Sequence, residues 1–140
     1  MATEQSTKAV SLTAGEDLRG DLFEILTIEN DSDVGKVIKA TAVTDTVIGI
    51  LAEEPNPDAT SDGVAVTVML LEGVVPMKAG AAITAGQLIV PDATAGRVAG
   101  VTGVGALAAD SMAIGMALES AADGDIFRVL AMPIAAPHSA

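Results

Sequence analysis

An all-β domain is the fold class this sequence predicts, and three observations predict it. Short β-branched runs recur between Gly, Asp, Asn and Pro, as in Gly35-Lys36-Val37-Ile38-Lys39, Val47-Ile48-Gly49-Ile50-Leu51 and Val64-Ala65-Val66-Thr67-Val68-Met69. Valines at 64, 66 and 68 alternate with Ala65 and Thr67, the period of two that turns one face of a strand to a core and the other to solvent. Asp-Gly pairs at 62–63 and 123–124 each enter such a run, where Gly supplies the positive φ of a tight turn.

In chain order, residues 1–12 are polar and read as an N-terminal arm, residues 13–131 as one β-barrel domain, and residues 132–140, with Pro133 and Pro137, as a flexible C-terminal tail. The strand near 126 follows the second Asp-Gly: Ile126, Arg128 and Leu130 share one face, with Arg128 toward water. The stretch 107–122 is rich in Ala and Met, but Gly115 interrupts it; a strand is expected there, with at most a helical turn around Ala106–Ser111. A weak internal repeat sets Val47-Ile48-Gly49-Ile50-Leu51-Ala52-Glu53 against Ala113-Ile114-Gly115-Met116-Ala117-Leu118-Glu119, each followed by Asp-Gly and a strand. Two copies are too few for a solenoid and suit a barrel of two similar β-meanders.

Composition narrows the function classes. A chain of 140 residues is one domain long, and its apolar half is mostly aliphatic: two Phe, no Tyr and no Trp. The core must therefore be finely interdigitated, with Phe23 and Phe127 inside it. Nineteen acids against seven bases give a net charge of −12, which repels phosphate backbones, so no nucleic-acid partner is expected. The longest interior uncharged runs, Val98–Ala109 and Ala79–Pro91, fall short of the roughly 18 residues of a membrane span, so no membrane partner is expected either. The start of the chain has neither the basic nor the apolar region of a secretory signal, and synthesis in the cytoplasm is expected. Without cysteine there are no disulfides, and stability must come from packing or oligomerisation.

Chemistry finds little purchase. The single histidine, His138, stands between prolines and the chain end with no partner to orient it, and a zinc site lacks its usual ligands. Asp31-Ser32-Asp33 and Asp123-Gly124-Asp125 could suggest calcium, but Gly35 and Ala42 stand where an EF-hand loop needs ligands, so solvated turns are expected. Gly35-Lys36 lacks the rest of a P-loop; Gly100, Gly103 and Gly105 lie in the wrong order for a dinucleotide fingerprint and read as a loop or bulged hairpin. Glu53, Glu54 and Glu72 have no spacing that marks a hydrolase, and Met77-Lys78-Ala79 only partly matches the lysine hairpin of carrier domains. No enzyme, no cofactor and no metal is the expectation. A soluble carrier or small-ligand-binding β module is the alternative kept open.

Five blocks then stand in a shared order. They are Ser11-Leu12-Thr13-Ala14-Gly15-Glu16-Asp17-Leu18; Val47-Ile48-Gly49-Ile50-Leu51; Gly73-Val74-Val75-Pro76-Met77-Lys78-Ala79-Gly80 with Ala82-Ile83-Thr84-Ala85-Gly86-Gln87; Ile114-Gly115-Met116-Ala117-Leu118-Glu119-Ser120-Ala121; and Asp123-Gly124-Asp125-Ile126-Phe127-Arg128-Val129-Leu130. In this order the chain resembles, over residues 11–130, the capsid cement (decoration) proteins of tailed bacteriophages. The resemblance implies a small β-barrel or β-tulip-like domain that forms a homotrimer, sits on the capsid exterior of the virion and staples the major capsid protein. It brings no catalytic residue. The arm, residues 1–12, would order on the shell by adding a strand to a sheet edge or by lying in a groove, with Lys8, Val10 and Leu12 as its binding residues.

Overall fold

The computed structural model describes residues 8–29, 35–42, 45–53, 55, 63–108 and 111–135. Among them are ten strands and one 3₁₀ turn: β1 (Ala9–Thr13), β2 (Ile25–Ile28), β3 (Val37–Lys39), β4 (Gly49–Leu51), β5 (Ala65–Leu70), β6 (Val74–Lys78), β7 (Leu88–Pro91), β8 (Val98–Val101), the 3₁₀ turn Val104–Ala106, β9 (Met112–Ala117) and β10 (Ile126–Ala135). They form two five-stranded antiparallel sheets, ordered β1-β5-β4-β2-β3 and β6-β10-β9-β7-β8. The second order is the first with five added to each strand. The repeat is therefore a duplication of a whole five-strand unit, in which each half builds its own sheet rather than sharing one barrel.

The duplication extends to single hydrogen bonds. Ala14 bridges Val37 and Ala79 bridges Val98, both in parallel, bringing the first strand of each half to its third without closing the sheet into a barrel. Gly15 N–H donates to the Val37 carbonyl at 2.8 Å, and Gly80 N–H to that of Val98 at 2.8 Å. The expected turns also match, with Gly63 at φ 89 and Gly124 at φ 88. At one position of positive φ the second half has glycine and the first does not: Phe23 holds φ 66 where the equivalent residue is Gly86, φ 90. That conformation costs a bulky residue about 1–2 kcal/mol, and the Phe23 ring is partly buried against the main core.

Period-two alternation places the core as expected in β5, where Val66 and Val68 are buried and Ala65 is exposed, and in β10, where Phe127 and Val129 are buried and Arg128 faces water. Inside the first half, Leu18, Leu26, Val37, Leu51, Val66 and Val68 form one cluster. The main cluster combines the inner face of the second half (Met77, Ile89, Val98, Phe127, Val129) with Ile25, Ala40 and Ile50 from the outer face of the first sheet. One apolar mass thus fastens the halves together. Backbone bonds add to it: Ile25 N–H donates to the Gly96 carbonyl at 2.9 Å and Gly96 N–H to that of Ala40 at 2.8 Å.

Strand pairing extends outward beyond both expected terminal boundaries of the domain. Residues 9–12, read as arm, belong to β1 and pair with β5, Val10 opposite Val68 and Leu12 opposite Val66. Residues 132–135, read as tail, continue β10: the register shifts between Ala131 and Ile134, and pairing resumes with Ile134 opposite Ala113. Pro133 lies in that irregularity, where a residue without N–H is tolerated in a sheet. The turn expected around Ala106–Ser111 is the 3₁₀ turn Val104–Ala106, earlier by two residues at its start. Gly100, in the stretch read as a loop or bulged hairpin, is paired with Ile89 inside β8, which follows β7 in the chain and runs antiparallel to it.

Candidate interaction surface

The arm residues expected to bind a shell are engaged within the chain. Val10 and Leu12 share a face with Val68 and Val66, which are buried in the first-half cluster; Leu12 packs against that cluster and Val10 stays 38% exposed at its margin. The Lys8 carbonyl accepts the Leu70 N–H at 2.9 Å, which anchors the start of β1. Residues 9–12 of the expected arm thus form a strand on the chain's own sheet. Residues 1–7 lie outside the described residues, as do Asn30–Val34 with their Asp pair, Glu54, Asp62 and His138.

Other candidate sites separate rather than converge. Glu53 and Glu72 are exposed on different connections. Lys78 is not at a hairpin tip but at the end of β6, opposite Ile126, with its Nζ 3.8 Å from Glu24 Oε1. An open groove of ≈ 580 Å³ on the first half is lined by Glu16, Thr27, Ile38, Lys39, Asp45 and Ile48, among others. Its carboxylates are used internally: Glu16 accepts the Lys39 N–H at 2.6 Å, and Asp45 accepts those of Thr41 and Ala42 at 2.8 and 3.1 Å. Among the described residues no group of three or more potential ligands could hold a metal, and no helix is long and apolar enough to cross a membrane.

What sequence reasoning missed is a cluster of charges at the junction of the halves. Glu24, its side chain 5% exposed, has Oε1 3.8 Å from both Lys78 Nζ and Arg97 Nε of the second half. Among the described residues its Oε2 has no hydrogen-bond partner. Burial, then the nearby Asp21 charge, pushes the Glu24 carboxyl above its ordinary range, against the pull of Lys39 and Lys78. Lys39 is held by Asp21 at 3.2 Å, and Arg97 reaches Asp123 at 3.2 Å. The equivalent of Glu24 is Gln87: the Glu24 carbonyl accepts the Leu51 N–H and the Gln87 carbonyl that of Ala117. Aligning the halves reveals this acid only once the strand pairing is known.

The remaining exposed feature is apolar and lies mostly on the second half. Val74, Val104, Met112, Leu118 and Ile126 are each at least 40% exposed, against Val10 and Ile28, both 38%, on the first half. Cross-strand pairing sets Val74, Leu130, Met116, Leu88 and Val101 in one row across the outer face of the second sheet. Within that row only Val74 is exposed, at 48%; Leu130, Met116 and Val101 are half-buried, and Leu88 is buried against Leu107 and Ala113.

With this geometry in view, comparison with solved structures gives a whole-chain match. The fold is similar to that of the head fiber gp8.5 N base of bacteriophage phi29, with a TM-score of 0.65 at 17% sequence identity, covering 89% of this chain and 95% of that one. No family model matches the chain. No curated protein matches it either. At that identity the likeness establishes a shared fold, and it embraces both halves rather than one.

Proposed function

We propose that this chain is a structural component of a tailed-phage virion that binds the outside of the assembled capsid and reinforces contacts between major capsid subunits. The observation that carries the reading is the fold shared with a phage head fiber base over 89% of the chain. The five blocks in cement-protein order over residues 11–130 support it independently. The protein acts as a homotrimer without catalysis, and symmetric display on a repeating shell turns modest contacts into avidity. The charge of −12 suits a surface facing solvent rather than packaged nucleic acid.

Co-sedimentation with shells of the cognate phage, intact and stripped of this protein, tests the reading. The purified chain is expected to pellet with stripped shells and not with shells already saturated. Failure to pellet with either would remove the cement role.

A further inference from the structure

We infer that the free edge of β1 pairs with the same edge of a second copy of this chain, antiparallel about a two-fold axis through Val10. The contact goes beyond the proposed function, being distinct both from a threefold association and from shell binding.

A strand at the edge of a sheet offers a row of backbone groups to any other strand, and folded proteins block most such rows. The two sheets end on β1 and β3 and on β6 and β8. Strand β3 is closed by its own chain: the Val37 carbonyl accepts the Gly15 N–H at 2.8 Å, and the Lys39 N–H donates to Glu16 at 2.6 Å. On β8 the Val98 carbonyl likewise accepts the Gly80 N–H, which leaves Gly100 as the outward residue of that strand. On β6 the Ala79 N–H donates to the Asp125 carbonyl, so alternation turns Val74, Pro76 and Lys78 away from β10. Pro76, in the middle, has no N–H to offer and blocks the edge.

Strand β1 has no such guard. Its Ala14 N–H donates to the Val64 carbonyl at 2.8 Å and its Lys8 carbonyl accepts the Leu70 N–H at 2.9 Å. Val10 and Leu12 therefore bond to β5, while Ala9, Ser11 and Thr13 turn their N–H and carbonyl groups outward. Thr13 lies beside the bridge from Ala14 to Val37, but residues 8–11 are all exposed. Ser11, opposite Thr67, holds the position that Pro76, opposite Arg128, holds in the second half. The edge that one half closes with proline is open in the other.

The edge also fits itself. About a two-fold through Val10, Ala9 lies opposite Ser11 of the other copy and Ser11 opposite its Ala9, and each pair exchanges two N–H···O=C bonds. Val10 meets its own counterpart at the non-hydrogen-bonded position, where side chains come closest. That contact covers a valine left 38% exposed at the margin of the first-half cluster. Residues 9–13 carry no charge, so copies of a chain with net charge −12 can approach along this strand. Two five-stranded sheets then become one of ten strands, related by the commonest symmetry between like chains. Between threefold units on a repeating shell, the same pairing would join one unit to the next.

The test uses the full chain and light scattering. The unsubstituted protein is expected to contain an even number of chains. Ser11→Pro, which copies the guard of β6 and leaves the bonds to β5 in place, is expected to halve that mass while circular dichroism stays that of the folded protein. An odd number of chains in the unsubstituted protein, or an unchanged mass in a folded Ser11→Pro variant, would overturn the inference. Should Ser11→Pro not fold, a single cysteine decides, because the chain has none of its own. Val10→Cys places two thiols at the axis, where a Cα separation of about 4.5 Å permits a disulfide. It is expected to give a linked dimer about a hundredfold faster than Thr102→Cys, at an exposed position of the second half, since pairing raises the effective thiol concentration toward the millimolar range. Equal rates would overturn it. Shell pelleting by the unsubstituted protein is scored separately, so loss of this contact and loss of the capsid role are read from different experiments.

Discussion

At the scale of single residues, Glu24 is where stability and pH meet. Its carboxyl titrates above the ordinary value of 4.5, so within that window the folded chain holds a proton the unfolded chain has released. Stability from this group therefore falls as pH rises through the window and returns on acidification. Glu24→Gln, which installs the residue that Gln87 provides in the other half, is expected to leave stability at pH 7 equal or higher and to flatten its dependence on pH above 4.5. Thermal unfolding across that range checks it; a variant markedly weaker at pH 7 would show that Lys78 and Arg97 need the charge. Gly49 and Gly115 make a second pair. A Cβ at either would approach closer than 3.0 Å to a backbone carbonyl oxygen, that of Met69 or of Leu130. Each Gly→Ala change is expected to cost about 1–3 kcal/mol by denaturant unfolding, whereas Gly105→Ala, in open space, should cost far less. The sequence alignment had set these two glycines opposite each other. Their shared crowding depends on β5 and β10, which no local pattern places beside them.

At the scale of elements, what was legible follows from how local each signal is. Strands β5 and β10 announce themselves through alternation and a preceding Asp-Gly, and β4 and β9 through the repeat. Strand β1 lies where the sequence reads as arm, because it follows a polar start and its run Lys8-Ala9-Val10-Ser11-Leu12 is short and interrupted by polar residues. Its alternation, with Val10 and Leu12 inward and Ala9 and Ser11 outward, was the signal available. The end of β10 was obscured by Pro133, which only a break in register accommodates. The binding assignment of Lys8, Val10 and Leu12 follows from that boundary. Ile25 and Leu88 are equally apolar, yet the second half buries Ile25 whereas Leu107, from the loop after β8, covers Leu88, a difference that only the packing reveals. Removing residues 2–7 is expected to preserve the cooperative unfolding transition, while removing residues 2–12 should abolish it by stripping β5 of a neighbour. Circular dichroism melting of both truncations checks this, and a folded 2–12 deletion would mean that β1 is dispensable.

At the scale of the whole molecule, the two sheets share one apolar mass, and neither half is expected to be stable alone. Calorimetry should show a single transition; two separated ones would mean that the contact of Ile25, Ala40 and Ile50 with the second half is weak. The duplication explains how a chain with two aromatic residues fills a core of this extent: it builds two small aliphatic interiors and seals one with the back of the other. The strand order also sets a timetable for synthesis. In each half the last strand made lies between the first and the fourth, so β1 leaves the ribosome without its partner and waits until β5 follows, about fifty residues later. Strands β2, β3 and β4 can pair meanwhile, but the first sheet cannot be completed until Leu70 emerges, and the face it buries stays bare until the second half has been translated and folded in its turn. A nascent chain interrupted between the halves would present Ile25 and Ile50 to the cytosol, which makes the interval between the two repeats its most chaperone-dependent moment.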